Sequence, residues 1–382
     1  MTETAPARLR LAVELDGHGA HPAAAGPPPA DAALLRRRVA AAEQAGFDLI
    51  TLDDSPLPPP ADPEGRPVHR IEAGVRAAQM ATRTDRTGLA PTLHPATTEP
   101  FHLATQLAAL DHASRGRGAW VVGRAGLGPA GEAELATIGA ALPTPEALRQ
   151  EIGDVVDTAR ALWDSWEDDA VIKDVATGRY LDADKVHPVD VETATFSVKG
   201  PLITPRPPQG HLVVLLPDAL ELDERADAVL VARPTPAAVA ERADRARAAG
   251  APLVLAELEV LLDADVPAAE RLAALDARRP WLPGERLRHV GSAAGLLALL
   301  DELADAVDGF RLHPAELEVD LPLLAAEVLP ALDAAGRHRA PQPGATLRAT
   351  LGLPRPANRY ADRPADRRAV RPANRQAAEV TS

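Results

Sequence analysis

The chain of 382 residues has a formal net charge of −14, and 46% of its residues are apolar. It contains no cysteine, which excludes disulfides, thiolate nucleophiles and metal sites built on cysteine ligands. The acidic balance disfavours nucleic acid as a partner. No apolar run has the length of a signal peptide or of a membrane span, so we expect a cytoplasmic protein without membrane contact.

Short apolar runs alternate with longer helical patterns along most of the chain, which is typical of βα units around a parallel sheet. The expected strands are 9–15, 48–52, 88–93, 119–122, 212–216, 228–232, 253–258 and 307–312. Asp31 suits the N-terminal cap of the first helix, and Gly46 suits its end. Because eight strand–helix pairs can be counted, the sequence predicts an α/β fold of the (β/α)8 TIM-barrel type; an open doubly wound sheet is the alternative.

The segment 166–209 interrupts this alternation. It lacks a helical period, whereas Ala194, Phe196 and Val198 alternate with polar residues as in a half-buried strand. We therefore expect an ordered insertion between the fourth helix and the fifth strand, where it forms a partial cover over one mouth of the barrel. The rest of 1–354 is expected to form the barrel domain itself.

Residues 355–378 consist of three eight-residue repeats, RPANRYAD, RPADRRAV and RPANRQAA. Segments with so few apolar residues cannot bury a core, so we expect a disordered tail over 355–382 whose deletion leaves folding nearly unchanged. Seven arginines against Asp362, Asp366 and Glu379 give this tail a net charge of +4. Weak contact with an acidic partner is the alternative role.

Several phrases of the sequence are long, ordered and rich in otherwise scarce aromatic residues. They are LDHASRGR (110–117), ALWDSWEDDA (161–170), TGRY (177–180), KVH (185–187), FSVKGPL (196–202), RPPQG (206–210), VDGFRLHP (307–314) and TLRATLGLPRP (346–356). In this order they resemble the nitrilotriacetate and dibenzothiophene-sulfone monooxygenase branch of the bacterial-luciferase-like flavin-dependent monooxygenases. The resemblance spans most of 9–356.

This resemblance implies a (β/α)8 barrel that holds reduced FMN at its C-terminal mouth. In that family O2 reacts with the reduced flavin and a small organic substrate is oxygenated, so the chain is expected to be an oxidoreductase. The deazaflavin F420 is the alternative cofactor. A second alternative concerns the function: a family member that has lost its flavin site and acts as a non-catalytic binding or scaffolding subunit.

The resemblance also implies two kinds of protein partner. A separate flavin reductase is the expected source of reduced FMN, and a second copy of the chain is expected to complete a homodimer. The second and third helices suit a dimer interface because they carry small and apolar residues on more than one face. These residues are Ala77, Ala78, Met80, Leu103, Leu107 and Leu110.

Site residues are expected at the C-terminal ends of the strands, where (β/α)8 enzymes carry their working groups. That rule places Asp54, Thr92, His94 and Trp120 at the candidate mouth. By resemblance Asp54 and Thr92 lie near the flavin ring, Asp54 as a hydrogen-bond acceptor and Thr92 as a donor. The alternatives are turn capping for Asp54, a plain loop position for His94 and packing for Trp120. No general base is diagnostic, and the acidic residues of the insertion lack metal-ligand spacing.

The expected phosphate position departs from the family. Relatives have a Gln-Ala-Gly-x-Ser-x-x-Gly turn after the fifth strand, where this chain has Asp218, Glu221 and Asp223. Carboxylates at this position repel a phosphate dianion. The candidate replacements as phosphate partners are three arginines, Arg124, Arg149 and Arg233. We therefore expect weak flavin binding with poor discrimination between FMN and riboflavin.

Overall fold

The computed structural model describes residues 8–26, 30–59, 61, 65 and 68–361. Its strands are β1 (Arg10–Glu14), β2 (Leu49–Leu52), β3 (Gly88–Leu93), β4 (Ala119–Val122), β5 (Val171–Asp174), β6 (Arg179–Leu181), β7 (Asp190–Glu192), β8 (Ser197–Lys199), β9 (Val213–Pro217), β10 (Ala228–Val231), β11 (Val254–Leu262), β12 (Leu287–Gly291) and β13 (Gly309–Pro314). The strands β1, β2, β3, β4, β9, β10, β11 and β13 pair in this order, all in parallel, and β13 returns to β1. This closed barrel confirms the predicted fold.

Helices surround the barrel and cover its apolar outer face. They are α1 (Ala32–Ala45), α2 (Ala73–Ala81), α3 (Pro100–Ala113), α4 (Gly131–Ala136), α5 (Pro145–Trp163), α6 (Pro236–Ala248), α7 (Ala268–Asp276), α8 (Ala293–Leu303), α9 (Leu317–Leu323), α10 (Leu329–Ala334) and α11 (Leu347–Leu351). Helix α1 is bounded as predicted: Asp31 accepts a hydrogen bond from Ala33 N, and Gly46 ends the helix with φ at 97°.

The interior of the barrel is apolar in its N-terminal half. Alternate residues of each strand point inward, and the innermost ones form a cluster of small and aliphatic side chains. That cluster contains Ala12, Leu49, Ala90, Ala119, Leu215, Leu230 and Leu255, together with Leu347 and Leu351 of α11. Because Leu347 lies against the start of β3 at Gly88, helix α11 closes the N-terminal opening of the barrel.

The fifth βα unit is shortened. Within the fully described segment 218–227, two 3₁₀ turns (Asp218–Leu220 and Asp223–Arg225) stand where a (β/α)8 barrel has an α-helix. A second difference is β12, which was not predicted. It pairs with the C-terminal half of the long strand β11 outside the barrel, and its polar residues Arg288 and His289 interrupt the apolar run by which a strand is recognised in sequence.

The insertion forms two antiparallel hairpins, β5–β6 and β7–β8, and β8 contains the predicted alternation around Val198. It lies on the N-terminal side of the barrel: Gln209 binds Asp111 near the end of α3, and Arg348 of α11 donates to the carbonyl of His211. All strands of a parallel barrel begin on its N-terminal side, so a segment that connects a helix to the next strand lies on that side. The insertion is therefore remote from the C-terminal mouth, and α11 closes the opening nearest to it.

The first residues of the expected tail are packed against the insertion. Arg355 pairs with Asp168, and Asn358 is buried. Residues 355–361 thus differ from the expected disorder, and deleting them would remove these contacts. The expectation for 362–382 lies outside the described residues.

A buried ion network fills the C-terminal half of the barrel interior. The guanidinium of Arg311 on β13 donates to Glu257 Oε1 on β11 at 2.6 Å, to Thr51 Oγ1 on β2 at 2.9 Å and to a carboxylate oxygen of Glu14 on β1. Arg311 is 4% exposed. Opposite charges inside a barrel persist only as paired groups, because an unpaired ion loses its hydration without compensation.

Replacing Arg311 by Met should therefore destabilise the fold strongly. The change leaves two carboxylates buried without their shared cation, and such a loss costs about 3–5 kcal/mol of unfolding free energy. Chemical denaturation measures this value. The matched control is Arg245→Met, since Arg245 pairs with Glu241 at 3.9 Å on an exposed face and should change stability by less than about 0.5 kcal/mol. Equal effects of the two substitutions would contradict the structural role of the network.

Candidate functional site at the C-terminal mouth

A cleft of about 330 Å³ opens where β2 and β3 end, between the loops that follow them. Its lining includes Asp54, Leu57, Arg70, Thr92 and His94. Three of the five residues predicted as cofactor-binding therefore line one cavity. Its volume falls at the lower end of the range of about 300–1,000 Å³ that is usual for small-molecule sites.

Thr92 offers an unused hydrogen-bonding group to this cleft. It is 4% exposed, and its Oγ1 has no hydrogen-bond partner among the described residues. Buried hydroxyl groups in folded proteins are nearly always bonded, so an orphaned one marks a place for a ligand or a water molecule. Thr92 is thus the predicted residue whose chemistry suits a ligand contact best.

Asp54 is used within the protein. One carboxylate oxygen accepts from Ser55 N at 2.8 Å and the other from Ala73 N at 2.6 Å, at the first turn of α2. The Nε of Arg70 lies 2.9 Å from Oδ1. This is the turn-capping role that the sequence left open as an alternative. Asp54 shapes the wall of the cleft because it holds the loop after β2.

His94 has both ring nitrogens engaged. Nδ1 accepts from Ala125 N at 3.3 Å, so the proton lies on Nε2, which donates to the carbonyl of Asp54 at 3.1 Å. A Cβ at Gly123 would lie 2.2 Å from Nδ1, so only glycine leaves space for the ring. His94 therefore ties the ends of β3 and β4 to the loop after β2.

The side chain of Trp120 points away from the barrel interior, towards the surrounding helices. Its side chain is fully buried in the cluster between barrel and helices, and Nε1 donates to Leu93 O at 3.0 Å. Since inward and outward residues alternate along a strand, its neighbours Ala119 and Val121 face the interior instead. This position matches the packing alternative for Trp120.

A second, smaller cavity of about 120 Å³ lies over the ion network, at the centre of the mouth. Glu14, Asp16, Asp53, Arg286 and His313 line it. Its size is well below that of usual ligand sites. The centre of the mouth is therefore filled by charged side chains of the protein, and the larger cleft lies to one side.

Sequence reasoning missed the residues around this cavity. Arg286 lies 3.3 Å from Glu257 and 3.7 Å from Glu259, and Arg288 lies 2.8 Å from Glu259. The sequence feature that could have indicated this pairing is the occurrence of Glu-Leu-Glu at 257–259 and of Arg-Leu-Arg at 286–288. Only the pairing of β11 with β12 shows that they face each other.

The expected phosphate position does not fit a phosphate. Each of the three candidate arginines already faces a carboxylate: Arg124 with Glu285 at 3.7 Å, Arg149 with Glu221 at 3.4 Å and Arg233 with Asp218 at 2.6 Å. A cavity of about 290 Å³ beside the shortened fifth unit is lined by four carboxylates and three arginines, namely Asp218, Glu221, Asp223, Glu224, Arg233, Arg242 and Arg245. No helix N-terminus compensates there, because the α-helix is replaced by 3₁₀ turns throughout the described segment 218–227.

Two other kinds of site are absent from the part of the chain that the structure describes. None of the described helices is long and apolar enough to cross a membrane. Within the same residues, no group of three or more His, Asp or Glu side chains is arranged to hold a metal ion.

A family profile described as luciferase-like monooxygenase matches residues 14–329, so the chain belongs to the luciferase-like monooxygenase family. It is 34% identical over 206 residues to one subunit of the pristinamycin IIA synthase of Streptomyces pristinaespiralis, covering 52% of this chain and 65% of that protein. It is 33% identical over 189 residues to the nitrilotriacetate monooxygenase component of Aminobacter aminovorans, covering 46% and 41%. The chain thus spans less than two thirds of these relatives.

The fold has solved counterparts over nearly its whole length. EDTA monooxygenase from Chelativorans sp. BNC1 superposes with a TM-score of 0.77 at 23% identity, covering 91% of this chain and 99% of that one. Such an identity shows the fold alone. The family profile and the nitrilotriacetate relative confirm the resemblance that the sequence phrases indicated.

The titration of His313 yields a testable pH dependence. Burial, followed by the nearby Arg286, lowers the pKa of His313 from 6.5 to about 3. Between these values the unfolded chain binds more protons than the native one, so native stability falls as the pH drops from about 6.5 towards 3. Replacing His313 by Gln should make this decline shallower. Urea denaturation across that pH range measures it.

Asp16 provides the opposite control in the same cavity. Burial raises the pKa of its carboxyl group from 3.8 to about 6, so between these values the native chain binds more protons and gains stability as the pH falls. The Asp16→Asn variant should therefore make the decline steeper. Slopes that change in the same direction in both variants would contradict the assignment.

Proposed function

We propose that the chain is the oxygenase component of a two-component flavin-dependent monooxygenase that acts on a small organic substrate. A separate flavin reductase supplies the reduced flavin. The observation that carries this proposal is the orphaned hydroxyl of Thr92 in a cleft of about 330 Å³ at the C-terminal strand ends, where (β/α)8 enzymes place their chemistry. The names of the relatives, which include monooxygenases and a monooxygenase component, support it.

In this proposal the residues of the cleft bind and orient the flavin ring. Thr92 donates its O–H to an acceptor on the ring edge, and Asp54 and His94 hold the walls of the cleft in place. Leu57 and the neighbouring prolines provide an apolar side that excludes water. The reduced flavin, when bound, supplies the electrons that activate O2.

The phosphate end of FMN is not accommodated in the same way. The arginines near the shortened fifth unit are neutralised by carboxylates at distances such as 2.6 Å for Arg233 and Asp218. A phosphate contact with charged or backbone donors contributes about 1.5–3 kcal/mol. Losing two such contacts weakens binding by about a hundredfold or more. We therefore propose that the ring alone is recognised, and that FMN and riboflavin bind with similar affinity.

A second candidate function is a non-catalytic subunit of a larger monooxygenase. Two observations favour it: the ion network fills the centre of the mouth, and carboxylates surround the expected phosphate position. One relative is named as a subunit of a synthase, which agrees with membership of a multi-subunit enzyme. Protein that shows no change in flavin absorbance or fluorescence on titration with reduced FMN, riboflavin or F420 would favour this candidate over the first.

The role of Thr92 is tested by Thr92→Val. Removing one neutral hydrogen bond of about 0.5–1.5 kcal/mol should weaken binding of both reduced FMN and reduced riboflavin about two- to tenfold. Anaerobic titration followed by flavin absorbance measures both dissociation constants. The control is Thr87→Val, because Thr87 also has a buried hydroxyl without a partner among the described residues but lies just before β3, at the N-terminal end of the barrel. Strong preference for FMN over riboflavin, or equal effects of the two variants, would contradict the proposal.

We also propose a homodimer through helices α2 and α3. An apolar groove of about 350 Å³ runs between them, and its lining of small and aliphatic residues includes Val75, Ala78 and Ala109. Val75 is 56% exposed. Of the residues expected for this interface, Ala78, Leu107 and Leu110 line the groove. Ala77, Met80 and Leu103 are buried within the chain itself and do not belong to its lining.

The dimer is tested by Val75→Asp. A carboxylate in the apolar groove would have to be buried on association, so the variant should sediment as a monomer at micromolar concentrations at which the native chain is a dimer. The control is Val175→Asp, since Val175 is 94% exposed in the β5–β6 hairpin and remote from the groove. A native chain that remains monomeric, or a dimer that survives Val75→Asp, would refute this interface.

A further inference from the structure

A notch on the insertion holds residues 355–360. We define the notch by Asp164, Trp166, Asp168, His187 and Arg206, which lie on and after the end of α5. The carboxylates of Asp164 and Asp168 flank the guanidinium of Arg206 at 2.9 Å each. Docking here is independent of the flavin cleft, because the notch lies on the N-terminal side of the barrel.

Charge recognition in the notch centres on Arg355. Its guanidinium forms a two-pronged contact with Asp168, Nη1 to Oδ2 at 2.9 Å and Nη2 to Oδ1 at 2.5 Å, and its Nε donates to Pro208 O at 3.1 Å. Arg206 Nη2 donates to the carbonyl of Pro356 at 2.9 Å. Hydrogen bonds from Arg355 and then Arg206 lower the pKa of Asp168 to about 2. The notch thus binds an arginine side chain through Asp168 and the main-chain carbonyl of the next residue through Arg206.

Sequence selectivity comes from Asn358, which is 7% exposed. Its Nδ2 donates to the carbonyls of Asp164 at 2.9 Å and Trp166 at 2.8 Å, while its Oδ1 accepts from Tyr360 N at 2.8 Å. An aspartate here would turn a carboxylate towards two carbonyl oxygens. The position therefore discriminates Asn from Asp, although the two side chains have the same size.

Two further contacts complete the docked segment. Arg359 Nε lies 3.4 Å from Asp164 Oδ2. The ring of Tyr360 stacks on His187 with centroids 3.9 Å apart and planes at 17°. Arg355, Asn358 and Arg359 thus make polar contacts with the notch, and Tyr360 adds an aromatic one.

The pentapeptide Arg-Pro-Ala-Asn-Arg occurs twice in the chain, at 355–359 and again at 371–375. The repeat between them carries Asp366 where the other two have asparagine. The third repeat carries the same residue types as those that make the polar contacts with the notch, and it differs at the aromatic position, where Gln376 stands in place of Tyr360. The second repeat has a carboxylate, Asp366, at the position equivalent to Asn358, where the notch requires an amide donor.

We propose that the notch is a peptide-recognition site with two ligands in one chain. Residues 355–360 are its resting occupant, and the third repeat at 371–375 takes the notch when the first is released. Sixteen residues separate equivalent positions, which is ample length for the return. Loop closure falls with about the three-halves power of loop length, and counted from the end of α11 at Leu351 the two arginines lie 4 and 20 residues away, so the first repeat is favoured about tenfold. The body of the chain is acidic and the tail basic, which favours both occupants.

The experiment uses the full-length chain and a fluorescein-labelled peptide with the sequence of 371–376, followed by anisotropy. Four proteins are compared: the native chain, Asn358→Asp, Asn374→Asp and the double variant. The double variant, with neither occupant, should bind the peptide at least tenfold more tightly than Asn358→Asp, whose notch is refilled by the third repeat. The native chain and Asn374→Asp should bind it most weakly. A peptide with the sequence of 363–368 should bind to none.

Three results would overturn the proposal. Equal affinity of Asn358→Asp and the double variant for the peptide would mean that the third repeat does not occupy the notch of its own chain. Failure of the double variant to bind would mean that the notch does not recognise the pentapeptide. Association of Asn358→Asp into species larger than those of the native chain and the double variant would show exchange between chains instead of within one. Melting temperatures verify folding, and Asn358→Ser, which also removes both amide donors, replaces Asn358→Asp if that variant unfolds.

Discussion

The buried guanidinium of Arg311 is the interaction on which the architecture depends. It joins the last barrel strand to β1, β2 and β11 through Glu14, Thr51 and Glu257, and so connects both sides of the seam where the barrel closes. Parallel strands that are buried on both faces have little else to define their register, because aliphatic side chains tolerate small shifts. A guanidinium with defined donor directions does not tolerate them.

This network also determines where a ligand can bind. It divides the interior into an apolar N-terminal half, closed by α11, and a charged C-terminal half whose remaining cavity is about 120 Å³. The larger cleft is displaced towards the loops after β2 and β3. Asp54 and His94 hold the walls of that cleft, and Thr92 contributes a hydroxyl that has no partner among the residues the structure describes. Between β9 and β10 two 3₁₀ turns stand in place of an α-helix, and the charges there are paired among themselves.

Much of the fold could be predicted because local patterns specify it. The eight barrel strands, the cap at Asp31 and the end of α1 at Gly46 each follow from residues close in sequence. Family membership followed from phrases such as ALWDSWEDDA, which are long enough to be specific. The placement of Thr92 and His94 at the C-terminal end of β3 followed from the rule for barrels, since a strand has only two ends.

The remaining features depend on partners that are distant along the chain. Alternation along β4 indicated two faces, but only the closed barrel shows that Trp120 points outward and Val121 inward. The strand β12 resembles a loop in sequence because it is polar. It can pair as a strand because carboxylates of its partner β11 neutralise its arginine. Residues 355–361 are too polar to bury a core by themselves, yet the notch supplies charges and carbonyls in matching positions. Sequence alone thus determined the eight barrel strands and the family, whereas tertiary structure decided which charges meet, because pairing energy depends on distances that no local pattern contains.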